Sequence, residues 1–309
     1  MSEIKIFSPA SVANMSCGFD VLGFCLDTVG DEMIIRKTIS PGLKITKIEG
    51  QRLPLDIRKN VAGVAALALL NAHNSKEGFE IEIYKKIKAG SGIGSSAASS
   101  AGAVFGINEL LGKPFTAHEL ITFAMEGEVL ASGSPHADNV SPVLMGGITL
   151  VRSIEPIDVI KLPCPNELTA VILHPKIELR TLPAREIIKK NVSMEKAIRQ
   201  WGNLGALISA LFTEDYDLMS RSLKDEIIEP IRSLLIPEFK LLKKASINAG
   251  ALGFGISGSG PSVYALTKGK DIANKVSQAL VEVFSPIGID FEIHISAINN
   301  QGIKVISCK

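Results

Sequence analysis

At 309 residues, 46% apolar and 21% charged, the chain has the composition of a soluble globular protein, with more length than one small core needs. Lys plus Arg (33) nearly cancels Asp plus Glu (32), so the positive excess that nucleic-acid or anionic-membrane binding requires is missing, and neither partner is expected. The stretch Met1 to Pro9 has no leader pattern, and the longest apolar run, Val61 to Leu70, is about half of the roughly 20 residues of a membrane span. Its four cysteines, Cys17, Cys25, Cys164 and Cys308, form no CxxC pair; a cytoplasmic protein with reduced thiols and no structural zinc is expected.

In chain order, Ile4 to Phe7, Asp31 to Thr38 and Phe79 to Ile87 carry the alternation or β-branched enrichment of strands. Asn60 to Ala72 and Ser96 to Leu111 read as helices, the second stopped by Gly112 with Pro114 just beyond. Thr116 to Leu130 reads as another helix, opened by a capping box of Thr116 and Glu119. Gly146 and Gly147 suggest a turn into a strand at Ile148 to Val151. Arg152 to Asn166, with Pro156, Pro163 and Pro165, reads as the connection between two domains, 1–155 and 156–309. Strand Leu168 to Leu173, helices Met194 to Phe212 and Pro237 to Ala249, strands Gly253 to Ile256 and Ser262 to Leu266, helix Ile272 to Phe284 and strand Phe291 to Ile295 complete the order. Strands mixed with helices in both halves predict an α+β protein rather than a doubly wound parallel sheet.

The most informative stretch runs from Gly90 through Gly92-Ile93-Gly94-Ser95-Ser96-Ala97 to Ser100. It follows a strand-like run and opens a helix of small residues. Glycines let the backbone approach a ligand closely, and free amides at a helix start, with the macrodipole behind them, suit phosphate. A flexible linker is the alternative, opposed by the direct continuation into the apolar run Ala101 to Leu111. There is no GxxxxGK[ST], and the GxGxx[GA] match alone is weak outside a first βαβ unit.

At about 100° per residue, Leu120, Ile121, Ala124 and Met125 form one apolar stripe of the helix begun at Thr116. Glu128 falls within that stripe and Glu126 opposite it. A carboxylate aimed at a core must be paired, protonated or bound to metal; from the residues alone an ion pair, a displaced helix boundary and a metal ligand all stay open. His136-Ala137-Asp138-Asn139, between Pro135 and Pro142, is a polar loop that a hydrogen-bonded turn would also explain.

Three motifs, in order across nearly the whole chain, resemble those of the GHMP kinases, in the form found in the homoserine kinase family. Ser11 to Asp20 (SVANMSCGFD) resembles the first motif, Gly92 to Ala97 (GIGSSA) the second, and Gly255 to Ser262 (GISGSGPS) the third. The segment from His136 to Pro142 and the pair Gly146-Gly147 are also similar to that branch. Lys86 to Ala89 lack the proline many members carry before the loop.

This resemblance implies a two-domain GHMP kinase fold, with an N-terminal half like ribosomal protein S5 domain 2 and a ferredoxin-like α/β sandwich at the C-terminus. It implies ATP as co-substrate, Mg²⁺ held by Ser96 and Glu128, L-homoserine as acceptor and a homodimer. Nucleotide contacts fall to Asn60, Lys88, Ala89, Gly90, Ser91, Gly92, Ile93, Gly94, Ser95, Ser96, Ala97 and Ala98. For the acceptor it points to Asn14, Asp20, His136, Asn139, Thr181, Arg185 and Arg232; arginine forks suit its carboxylate and Asp20 its ammonium. Asp20 and His136 are both candidates for a base, and neither is assigned. Another GHMP small-molecule kinase and a non-catalytic sensor on the same fold are the alternatives.

Overall fold

The computed structural model describes residues 2–177, 187–188 and 191–309. The first half builds a seven-stranded sheet. Strand β1 (Glu3–Ala13) pairs antiparallel with β2 (Leu22–Thr38), which pairs antiparallel with β4 (Gly78–Tyr84). β3 (Gly42–Glu49) runs parallel to β4 at the edge. Both β1 and β2 are longer than the sequence pattern suggests. Pro9 lies inside β1, and the β1–β2 register shifts between Pro9 and Ser11, an irregularity of the kind that lets a strand accept proline.

The segment expected as a domain connection is instead largely sheet. β5 (Ile148–Ile154) and β6 (Ile157–Leu162) form a hairpin that continues the first sheet beside β2, and its turn contains residues 155 and 156. The chain's last strand, β11 (Lys304–Cys308), also returns to this sheet, beside β1. Pro156 takes the turn, and the prolines at 163 and 165 follow the last β6 residue.

Helices α1 (Val61–His73), α2 (Ser95–Leu110), α3 (Ala117–Ser132) and the short α4 (Val140–Met145) accompany this sheet. α3 carries the expected capping box: the Thr116 hydroxyl accepts from the Glu119 amide, and Glu119 accepts from the Thr116 amide at 2.8 Å. α2 is buried along most of its length, which its alanines, glycines and serines allow.

In the second half a four-stranded antiparallel sheet has the order β10-β7-β9-β8. Its strands are β7 (Leu168–Pro175), β8 (Gly253–Ile256), β9 (Val263–Lys268) and β10 (Phe291–Ala297). After β7 come α5 (Met194–Thr213), α6 (Tyr216–Ser222), α7 (Glu229–Arg232) and α8 (Phe239–Asn248); α9 (Lys270–Phe284) lies between β9 and β10. Strand order 4-1-3-2, with α8 and α9 as its crossovers, is the split βαβ arrangement of a ferredoxin-like fold. Among the described residues no helix is long and apolar enough to cross a membrane.

One core joins the halves. Val12, Phe24, Leu26 and Ile148 pack in one cluster with Ile172, Leu207, Tyr264 and Leu266. Phe24 and Tyr264 meet edge to face at 5.9 Å between ring centroids, both fully buried. The halves therefore unfold together. Phe24→Ala should lower stability by about 3–5 kcal/mol while urea and calorimetric melts keep one transition; two separated transitions would contradict a shared core.

Candidate active site

The glycine loop leaves β4 at Lys85 and enters α2 at Ser95, and its carbonyls are taken by the protein. Ser91 O accepts from the Ser262 hydroxyl at 2.6 Å and the Ser262 amide at 3.3 Å. Gly92 O accepts from the Ser257 hydroxyl at 2.7 Å, and Ile93 O from the Ser11 amide at 3.2 Å. In a trans peptide the C=O and N–H point opposite ways, so carbonyls turned inward aim the amides of Gly92, Ile93 and Gly94 outward. None of the amides from Gly92 to Ala97 donates to a group among the described residues. Free donors at the start of a 16-residue helix form an anion cradle.

Two glycines are required for this shape. Gly92 has φ +84°, and a Cβ there would lie 2.5 Å from Gly260 O; at Gly94, φ +69°, it would lie 2.0 Å from the Ser11 hydroxyl.

Beside the cradle, Glu128 sits on the buried face of α3 and is 5% exposed, whereas Glu126 is exposed, as the helical phase predicts. Glu128 Oε2 accepts from the Ser96 hydroxyl at 3.1 Å, while Oε1 is buried with no hydrogen-bond partner. Burial pushes this carboxyl up to about 7, against the Ser96 hydrogen bond and the Lys85 charge, which pull it down. An orphaned buried carboxylate oxygen next to a serine hydroxyl fits a hard cation. Among the described residues no cluster of three or more His, Cys, Asp or Glu is placed to hold a metal. An ion at Ser96 and Glu128 would therefore complete its shell with waters and ligand oxygens.

The first and third motifs meet on the other side. Asn14 Nδ2 donates to Gly258 O at 2.7 Å, its Oδ1 accepts from the Asp20 amide at 3.1 Å, and Arg232 Nη1 donates to the same Gly258 O at 3.1 Å. The Arg232 guanidinium, 4% exposed, lies over the Phe19 ring at 5.1 Å. A pocket opens here, lined in part by Asn14, Ser16, Phe19, Glu229 and Arg232. Asn14, Met15, Ser16 and Asp20 all have positive φ, backbone strain of the kind that clusters at ligand sites. Asn139 is tied to the first motif through the Ser11 hydroxyl at 2.8 Å, and His136 Nε2 lies 3.0 Å from the Ser134 hydroxyl.

Known proteins resemble this chain in both sequence and fold. The GHMP kinase N-terminal domain model matches residues 60–147 and the GHMP kinase C-terminal model residues 195–286. A homoserine kinase of Chlorobium phaeobacteroides is 42% identical, covering 99% of this chain and all of that one. The chain belongs to the homoserine kinase family of GHMP kinases. A solved homoserine kinase from Cytophaga hutchinsonii superposes with a TM-score of 0.95 at 49% identity, covering 99% of this chain and 98% of that one. Leishmania major mevalonate kinase shares the fold alone, at 16% identity and a TM-score of 0.70, over 96% of this chain and 99% of that one.

Asn60 caps α1: its Oδ1 accepts from the Ala62 amide at 3.0 Å and its Nδ2 donates to Pro54 O at 2.8 Å. Lys88, Ala89 and Gly90 are exposed at the loop's crest, and Ala97 and Ala98 are buried in α2. Thr181 and Arg185 lie outside the described residues. Ser11, Phe19 and the Gly258 carbonyl escaped the sequence reading as site groups. Ser11 and Phe19 stand inside the first motif, and Gly258 inside the third.

Glu128 gives a pH test. A carboxyl whose folded value is raised from 4.5 to about 7 stabilises the fold fully below 4.5, and that contribution is lost as pH rises through about 7. Compared with Glu128→Gln, the ligand-free protein should lose about 3 kcal/mol between pH 4.5 and 8.5. Urea denaturation of both proteins across that range checks it; parallel pH profiles would contradict it.

Proposed function

We propose that this protein transfers the γ-phosphate of ATP to the side-chain hydroxyl of L-homoserine, giving O-phospho-L-homoserine and ADP. The observation that carries the reading is the joining of an outward-facing amide cradle at the start of α2 to a buried arginine pocket through one loop, Ser257 to Ser262. Family membership over the full chain supports the acceptor's identity.

The homoserine oxygen forms the new bond to the γ-phosphorus as the bond to the β–γ bridging oxygen breaks, and the hydroxyl proton leaves. Such transfers depend on positioning and charge neutralisation more than on covalent chemistry. The amides of Gly92 to Ala97 hold the phosphate chain. Ser96 and Glu128 hold magnesium, which when bound neutralises phosphate charge. Arg232, with Arg185, takes the acceptor carboxylate, and Asp20 its ammonium. Asn14, His136, Asn139 and Thr181 provide the remaining polar contacts. Asp20 is a poor base while paired with the ammonium, and His136 is the other candidate for the proton. A homodimer working in the cytoplasm, in threonine biosynthesis, belongs to the same reading.

ADP release from MgATP with L-homoserine, mevalonate, galactose, L-threonine and no acceptor tests the proposal. Turnover is expected with homoserine, and Arg232→Ala should raise its KM by roughly tenfold to a hundredfold. Turnover with a different acceptor alone would overturn the substrate. MgATP binding with no turnover on any acceptor would overturn the activity in favour of a sensor.

A further inference from the structure

Beneath the glycine loop lies an ion pair that the reading above does not use. Asp31 is on β2 and Lys85 just beyond β4, the neighbouring strand, and their side chains are 0% and 1% exposed. Lys85 Nζ donates to Asp31 Oδ2, to Ser95 O at 3.0 Å and to the Ser99 hydroxyl at 3.0 Å. All the ammonium hydrogens are thereby used. The other Asp31 oxygen accepts from the amides of Lys86 at 2.7 Å and Ile87 at 2.9 Å.

The two side chains hold opposite feet of one arch. Asp31 grips the chain entering the loop, at residues 86 and 87. Lys85 grips the chain leaving it, at the first turn of α2. The Ser95 hydroxyl closes the neck by donating to Ile87 O at 2.9 Å.

Stability alone is a poor account of this pair. Apolar residues of similar volume are often as stable as a buried ion pair, and a cation at a helix start opposes the macrodipole. What an apolar pair could not do is hold the Lys86 and Ile87 amides and the Ser95 carbonyl in a fixed relation. The next residue after Ser95 is Ser96, so the clamp fixes where that hydroxyl and the following amides stand.

We propose that Asp31 and Lys85 are positioning residues that set the span of the phosphate loop and thereby MgATP binding, without contacting the acceptor. The proposal rests on reading Gly90 to Ala97 as the nucleotide loop. The double variant Asp31→Asn/Lys85→Met removes both charges together and avoids stranding one of them. In steady-state assays beside the wild type, it should raise the KM for MgATP at least about tenfold and lower kcat, leaving the KM for homoserine within about twofold. A merely structural role would shrink the active fraction, lowering kcat with both KM values unchanged.

An unchanged MgATP KM in a double variant that melts like the wild type overturns the clamp. Absence of MgATP binding by the wild type itself would instead overturn the nucleotide-loop reading on which the clamp depends. If the double variant does not fold, Ser99→Ala decides the question, since it loosens one Lys85 bond without leaving an unpaired charge. A raised MgATP KM there supports the clamp, and an unchanged one overturns it.

Discussion

The site depends on a seam where loop Ser257–Ser262 of the second half seats on loop Ser91–Gly92 of the first, through two serine hydroxyls and one amide. Each of these bonds occupies a carbonyl of the glycine loop and so turns amides of that loop toward the solvent side. The approach is close enough that Gly92 has no room for a Cβ against Gly260 O. The same third loop receives Asn14 and Arg232 on its Gly258 carbonyl. In the proposed reading, nucleotide side and acceptor side are thus two faces of one backbone segment. A core common to both halves keeps the seam in register.

Two buried ionisable features at this seam are treated differently. Lys85 and Asp31 are hydrogen-bonded on every side, which fixes their geometry, although burial disfavours the Lys85 charge more than Asp31 favours it. Glu128 keeps one oxygen without a partner, and burial raises its carboxyl accordingly. A group held at a cost to the ligand-free fold, next to a hydroxyl and a helix start, suits a cation arriving with its phosphates. The strained backbone at Asn14, Met15 and Ser16 is a similar local conflict on the acceptor side.

Much of this was legible because periodicity and spacing are local. The phase of α3 placed Glu128 inward, the capping box marked the helix start, and the three motifs marked segments that meet in the fold. Seams between distant segments were not legible. Ile157 to Leu162 was hidden by flanking prolines that serve the turn and the exit of a hairpin. The first half of β2, from Leu22, alternates too weakly around Gly23 and Asp27 to read as strand. The clamp did leave a signal: Phe79, Ile81 and Ile83 face inward with period two, which puts Lys85 on the buried face, and Asp31 precedes Met33 and Ile35 in the same way. Two charges of opposite sign on the inner faces of neighbouring strands imply a pair, but which strands are neighbours is a tertiary fact. Thr181 and Arg185 fall outside the described residues, so nothing in the fold bears on them.

A crystal structure with a non-hydrolysable ATP analogue, Mg²⁺ and L-homoserine tests most directly the claim that one backbone segment joins both substrates. The account predicts the β- and γ-phosphates on the amides of Gly92 to Ala97, the metal between the Ser96 hydroxyl and Glu128, and the homoserine carboxylate on Arg232 with its hydroxyl directed at the γ-phosphorus. Phosphates bound away from those amides, or an acceptor bound away from Arg232, would contradict it.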